Sequence, residues 1–344
     1  MKILHVCSTS AISGANRYAF DLAAGQAALG HDVTVITPAL PGHSLDLKPP
    51  EVKQVSFDGI YPIGLISTLR RLRGDVIHCH GGKAAKWLRL MPARPASVIS
   101  LHIRFKKNAM EHFDGVHALA DWQMEGLQSF KGLVKKVNNW APKLNASAPG
   151  AAEACRQSVG AYPDTPLAVF VGRLDPVKGV DTLIRAFRKI DRSDIRLAIV
   201  GDGSETEALK ALAGPDCRIS FAGYSKAPAD WYNAADLVVM PSRHEPFALV
   251  ALEAMSCNTP LLASDLEGFQ EIFRDRPDNR FPEGNAAALA AAISNRLAGK
   301  IPGVIMRDQY DMHRFNRDAG VAAVTEFYAD VCAAKQGLFE PLPT

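Results

Sequence analysis

What this sequence lacks already narrows its role. Among 344 residues no apolar run approaches the roughly eighteen that cross a bilayer, so no transmembrane helix is expected. The opening MKILHVCS carries one lysine and then a short strand-like run. It has neither a longer apolar stretch nor a small-residue cleavage site, so no secretory leader is expected. Six cysteines (Cys7, Cys79, Cys155, Cys217, Cys257, Cys332) stand singly, at neither disulfide-framework nor metal-ligand spacing. The expected setting is therefore reducing and cytoplasmic. The turn after the first apolar run, TSAISGANRY at 9–18, is not a GxGxxG, so dinucleotide binding lacks support. No internal repeat or low-complexity tract is present.

What is there suits a two-domain globular chain: 344 residues, 47% of them hydrophobic. The net charge of +3 conceals a split. Residues 1–150 hold 18 Lys and Arg against 10 Asp and Glu, and the remainder holds 21 against 26. The cations concentrate in RRLR, KAAKWLR, RFKK and KGLVKK, between Arg70 and Lys143. A basic half points to an acidic partner, whether nucleic acid, anionic lipid or a phosphorylated substrate; a set of solvated helix faces is the plainer alternative.

Short β-rich runs alternate with helical spacing. KILHVCS, HDVTVITPA, VKQVSF, DVIHCH, SVISLH and DGVHALA read as strands, with helices over 16–29 and 64–73. The pattern breaks near 140–166, in APKLNASAPGAA and AYPDTP. It restarts with PLAVFVG, a helix from Val180 to Ile190, IRLAIVGDG, a helix from Glu205, CRISFAG, a short helix near 228–234, DLVVMPS and TPLLASD. Two such series imply two parallel sheets covered on both faces, that is, two Rossmann-like domains. Residues 304–335 read as a helical tail without strands.

One stretch carries most of the chemistry: RHEPFALVALEAMSCNTPLLASD, 243–265. Glu245 falls in a strand-to-helix loop. The helix is expected to begin near Pro246 or Phe247 and to stop near Asn258, with Glu253 two turns in. N–H groups from about Phe247 to Val250 then lack intrahelical partners and face an anion or oxygen-rich group. A carboxylate only accepts hydrogen bonds, and its two oxygens match a vicinal diol such as a sugar or ribose carries. A dipole-favoured acid at a helix start, with a solvent-facing Glu253, is the alternative. VGRLDPVKG, 171–179, is a second strand-to-helix turn. Arg173 and Lys178 flank it and supply the charge a diphosphate needs. Gly14, in the turn after the first strand, allows close backbone approach to a ligand. These turns, with GDG at 201–203, fall at the carboxyl ends of parallel strands, where open α/β sheets bind ligands.

In order and spacing, VGRLDPVKGVDTLIRAF, IVGDG, FAG at 221–223, EPFALVALEAM and TPLLASD resemble the retaining nucleotide-sugar glycosyltransferases of family four. The likeness is specific across the second half and looser in the first, through the Gly14 loop, DVIHCHG and SLH. It implies a GT-B fold, two Rossmann-like domains facing across a cleft. An acceptor-binding domain is expected over 1–145, a nucleotide-sugar domain over 146–315, and a helix over 316–344 that crosses back onto the first. By position, Glu245 resembles the first glutamate of the E-x7-E motif, at the donor sugar, and Glu253 the second, at the ribose. Phe247, Ala248, Leu249 and Val250 would offer backbone N–H groups, and Gly14 would lie beside the diphosphate. Arg173 and Lys178 would hold the leaving group. His102 resembles a histidine near the sugar's reacting face and joins Glu245, Arg173 and Lys178 as a catalytic candidate. SGAN, NNW at 138–140 and Asn258 depart from the family's usual glycine-containing forms, the first two touching the acceptor side and hinge.

The resemblance implies a nucleotide-diphosphate sugar as co-substrate, UDP-type favoured over GDP-type, no other cofactor and no metal. The acceptor would be a saccharide or lipid-linked molecule, as in lipopolysaccharide or exopolysaccharide assembly. An anionic membrane surface, at the inner face, is a candidate partner, and nucleic acid is not. HCH at 78–80 puts two histidines on one strand face with no matching second ligand pair in view. A GT-B nucleotide-sugar epimerase and a non-catalytic scaffold that docks on membranes or polymers stay open as alternatives.

Overall fold

The computed structural model describes residues 1–9, 13–39, 49–57, 61–298, 304–305 and 307–337. Part of the 9–18 turn, residues 10–12, lies outside them. The chain divides into two compact units, one of Met1–Trp140 with the C-terminal segment from Phe315, the other of Ala141–Arg314.

The first unit is built on β1 (Lys2–Cys7), β2 (Asp32–Pro38), β3 (Lys53–Phe57), β4 (Val76–His80), β5 (Ala96–Ser100), β6 (Gly115–Ala118) and β7 (Leu133–Lys136). Their order is β3-β2-β1-β4-β5-β6-β7, and every pairing is parallel. Both faces are covered, so the strands read as nearly unbroken apolar runs. Alternate residues serve opposite cores. Ile3 joins Tyr18, Phe20, Val321 and Phe327, while Leu4 joins Ile36, Leu65, Leu69 and Ile77. β7 was not expected from LVKK, whose two lysines mask a short edge strand.

Among the described residues the tail is α-helical over Arg317–Lys335, preceded by a short 3-10 turn at His313–Phe315, and not from 304. Asn316 stops it by capping: its side chain accepts from Ala319 N at 2.9 Å. As expected, this helix belongs to the first unit. Val321, Val324, Phe327, Tyr328 and Val331 form its buried face. Gly320 lies so close to Trp140 that a Cβ there would meet the indole Cε3 at 2.4 Å. Arg317 and the Trp140 indole N–H both bond Asp21, at 2.9 and 2.6 Å.

The second unit holds β8 (Leu167–Val171), β9 (Arg196–Val200), β10 (Ile219–Gly223), β11 (Leu237–Met240), β12 (Leu261–Ser264) and β13 (Arg280–Phe281). The order is β10-β9-β8-β11-β12-β13, again parallel. β13, two residues long, was too short to read from sequence. Helices Val180–Arg188 and Ala286–Ala298 cover one face through Leu183, Ile184, Phe187, Leu289 and Ile293. In each sheet the strand order reverses once, between β1 and β4 and between β8 and β11. Loops at the carboxyl ends of such strands diverge and leave a crevice.

Candidate functional site

In the second unit that reversal explains why residues 67 apart in sequence meet. β8 and β11 are neighbours, so the turn after β8 and the loop after β11 emerge side by side. The first turn closes as a short 3-10 helix, Pro176–Lys178, ended by Gly179 at φ 64°. Only glycine fits there, since a Cβ would meet the Pro241 carbonyl oxygen at 2.0 Å. The Arg243 N–H donates to Val177 O at 2.8 Å and its guanidinium to Pro176 O at 2.6 Å, which laces the loops together. Arg243 also pairs with Asp181 at 2.7 Å, and the Asp181 carboxyl is held below its usual range by Arg243 and Arg185 despite partial burial.

Across these loops Lys178 Nζ donates to Glu245 Oε2 at 2.6 Å. Both side chains are largely enclosed, 24% and 12% exposed. Arg173 turns to a different carboxylate. It pairs with Asp175 at 2.5 Å and is 61% exposed.

The helix after Glu245 begins at Leu249, not at Pro246 or Phe247, and ends at Ser256. Residues 245–246 lie against the neighbouring backbone, where a Cβ on Gly268 would meet the carbonyl oxygens of Glu245 and Pro246 at 2.2 and 2.6 Å. Ala248 is therefore the extended N-cap and Leu249 and Val250 open the helix, so of the four expected N–H donors only these two are helical. Phe247 and Ala248 are buried. Asn258, at φ 55°, takes the left-handed conformation expected of the helix stop.

Glu253 does not face solvent. It is 1% exposed, and the Tyr232 hydroxyl donates to its Oε2 at 2.6 Å. Tyr232, Arg243 and Asp181 were not picked out by sequence reasoning. An arginine two places before Glu245 and an acid in a helix's first turn were visible signals, whereas a tyrosine 21 residues upstream of Glu253 gave none.

Gly14 and His102 lie in the first unit. Gly14 is the exposed first residue of helix Gly14–Ala28, whose N-cap Ser13 accepts from Asn16 N at 3.3 Å, at the reversal beside β1. His102 follows β5 by two residues and is partly buried. Its Nε2 is 3.2 Å from Nδ1 of His80, the last residue of β4. Behind it the sheet holds four more histidines on one face: His5 on β1, His78 and His80 on β4, and His117 on β6. Cys79 points to the other face, as strand alternation demands. The third ring that HCH lacked is His5, which pairs with His78 in the β1–β4 register. Ring nitrogens of His5, His78 and His80 fall within 4.8 Å of one another, a spacing a divalent ion can use. Each ring is instead already bonded to protein groups. Burial pushes His5 and His117 down to about 4 and His102 to about 3, and holds His78 and His80 well below the ordinary imidazole value.

A family model described as "Glycosyl transferases group 1" matches residues 152–310, and one described as "Glycosyltransferase Family 4" matches residues 12–169. A D-inositol 3-phosphate glycosyltransferase of Xylanimonas cellulosilytica is 32% identical over 188 residues, 51% of this chain and 45% of the relative. The matched stretch spans about half or less of the length of such curated relatives. Sucrose-phosphate synthase from Thermosynechococcus elongatus superposes with a TM-score of 0.71 at 22% identity, covering 98% of each chain. Anabaena HepE, solved in complex with UDP-glucose, gives 0.73 at 20% identity, covering 98% of this chain and 100% of its own. The two family matches overlap at 152–169 and together span residues 12–310, and the neighbours superpose over 98% of the chain: it carries a family-four and a group 1 glycosyltransferase region on a GT-B fold.

Proposed function

We propose that the chain transfers a sugar from a nucleotide-diphosphate sugar, UDP-type, to a saccharide or lipid-linked acceptor, with retention at the anomeric carbon. The observation that carries this reading is the Lys178–Glu245 pair at the β8–β11 reversal. It sets a cation for the diphosphate beside a carboxylate for the sugar. Arg173, 61% exposed and paired with Asp175 at the surface, would add a second cation on the leaving group. The N–H groups of Leu249 and Val250 would face the phosphates, and Glu253 the ribose. Two lysine and arginine charges can offset the charge that develops on the departing diphosphate without a metal. Retention places the acceptor hydroxyl on the face from which the diphosphate leaves, so the leaving group itself helps to take the acceptor's proton, and binding and orientation do the rest. The UDP preference is supported by the fold neighbour solved with UDP-glucose, and a polyol-type acceptor by the relative named for D-inositol 3-phosphate.

The basic first half supports a second part of the proposal, docking on an anionic membrane during lipopolysaccharide or exopolysaccharide assembly. Helix Ile63–Leu72 ends in Arg70 and Arg71 and exposes Ile63 (75%), and Lys83, Lys86, Arg89 and the exposed Leu90 lie on and just after helix Gly82–Leu88. No helix among the described residues is long and apolar enough to cross a membrane, so any attachment by helices would be peripheral.

Incubation with a panel of sugar nucleotides, with and without lipid-linked and phosphorylated acceptors, tests the reading. Acceptor-dependent release of nucleoside diphosphate supports a transferase. Release without any acceptor, with an isomerised sugar as product, would make it an epimerase, and no turnover of any donor would leave a scaffold.

A further inference from the structure

The buried histidines of the first unit form two hydrogen-bond chains, and each ends on a backbone carbonyl, which can only accept. That end fixes the direction of every link before it.

The first chain starts in the C-terminal helix. Thr325 Oγ donates to the Val321 carbonyl at 2.7 Å, which spends its single proton. Thr325 must therefore accept from its other neighbour, the Gln26 carboxamide at 3.3 Å, so the Gln26 nitrogen faces Thr325 and its oxygen faces His5. Gln26 Oε1 lies 2.8 Å from His5 Nε2 and can only accept, so His5 carries its proton on Nε2. His5 Nδ1 is then bare and accepts from His80 Nε2 at 2.9 Å. His80 Nδ1 is bare in turn and accepts from His102 Nε2 at 3.2 Å. The reverse direction would need Gln26 turned over and the 2.7 Å Thr325 bond exchanged for one at 3.3 Å.

The second chain agrees. His117 Nε2 donates to the Val137 carbonyl at 3.1 Å, Ser100 Oγ donates to His117 Nδ1 at 2.8 Å, and His78 Nε2 donates to Ser100 at 2.8 Å. His78 Nδ1 is left to accept from the Tyr328 hydroxyl. All five rings come out as the same tautomer, with the proton on Nε2.

We infer that Gln26 is a positioning residue which, through His5 and His80, fixes His102 as the Nε2–H tautomer and leaves His102 Nδ1 as a bare acceptor for a ligand hydroxyl. No described residue occupies that nitrogen. A phosphate oxygen brings no proton and would be repelled there, whereas a sugar or acceptor hydroxyl donates to it. Burial keeps these rings neutral at pH 7, so His102 is an acceptor and not an acid. The ligand assignment rests on the proposed transferase reading; the tautomer assignment does not.

Long-range proton–nitrogen NMR of the histidine-labelled full chain at pH 7.5 reads each ring directly. The expected result is neutral Nε2–H for His5, His78, His80, His102 and His117. A proton on His102 Nδ1, or an imidazolium, overturns the inference. Gln26→Leu should release His5, His80 and His102 from the single tautomer while His78 and His117 keep theirs. Gln26→Glu, which still accepts from His5, should retain the wild-type pattern. If His102 is unchanged in Gln26→Leu, Gln26 does not position it. In an active preparation Gln26→Leu should lower kcat roughly 5- to 10-fold, the loss of about one neutral hydrogen bond, with Gln26→Glu restoring it. A confirmed tautomer without any donor turnover would sink the transferase reading alone.

Discussion

Lys178 Nζ lies 2.6 Å from Glu245 Oε2, so the cation proposed for the leaving group is paired with the carboxylate proposed for the sugar. On the proposed reading a diphosphate at Lys178 would share that charge, and Glu245 would be released to accept from sugar hydroxyls. Lys178→Ala and Arg173→Ala are each expected to lower turnover by roughly 10²-fold, since each removes a charge-assisted contact to the departing diphosphate. Their stabilities should differ little from wild type for Arg173, an exposed pair with Asp175. Steady-state rates with the accepted donor check this, and two near-wild-type rates would place the donor site elsewhere.

Glu253 and Tyr232 separate a structural role from a binding one. Glu253→Ala removes the acceptor at 2.6 Å from the buried Tyr232 hydroxyl and should cost about 1–3 kcal/mol of stability. Glu253→Gln keeps an oxygen for Tyr232 and should melt within a few degrees of wild type, yet bind UDP more weakly because the group left for the ribose diol is a donating NH2 in place of an acceptor oxygen. Thermal melts and calorimetric titration of both variants decide the matter. Glu253→Gln with wild-type UDP affinity would make Glu253 purely structural.

The histidine cluster sets an acid limit. Folded His5 and His117 titrate near 4 and His102 near 3, below the ordinary 6.5 of the unfolded chain. Between those values the unfolded state binds more protons, so stability is highest above about pH 6.5 and falls as the pH drops toward 4. Each histidine contributes a slope of up to about 1.4 kcal/mol per pH unit. Because Thr325 and Tyr328 join the cluster, the C-terminal helix should loosen with it. Urea unfolding at stepped pH is expected to show this decline, and a flat profile from pH 7 to 4.5 would contradict the burial of neutral rings.

The basic half gives a salt-sensitive prediction. Sedimentation with anionic vesicles should carry the protein down at low salt and lose it at high salt, at about 1 kcal/mol per well-placed cation. Equal binding to neutral and anionic vesicles, or to neither, would remove the membrane claim and leave the transferase claim standing.

Much of this was legible because parallel strands and the turns after them leave strong local marks. The VGRLDPVKG turn, the EPFALVALEAM helix and the strand-helix alternation all lie within single short stretches. What was not legible is what the sheets bring together. His5 and His80 are 75 residues apart and meet because β1 and β4 are neighbours. Tyr232 reaches Glu253 from another helix, and Gln26 reaches Thr325 across 299 residues. The late start of the helix at Leu249 was missed for the same reason, since the constraint on residues 245–246 comes from Gly268 on a later element. Propensity at Pro246 favoured an earlier start, and tertiary contact prevailed.

Calorimetric titration of UDP into wild type, Lys178→Ala and Glu245→Ala tests the central claim most directly. UDP should bind wild type, bind Lys178→Ala at least about tenfold more weakly, and bind Glu245→Ala as tightly or more tightly, because the carboxylate that competes for Lys178 is gone while the Glu245 variant transfers no sugar. UDP binding that is absent from wild type, or equal in all three proteins, would contradict a donor site built on the Lys178–Glu245 pair.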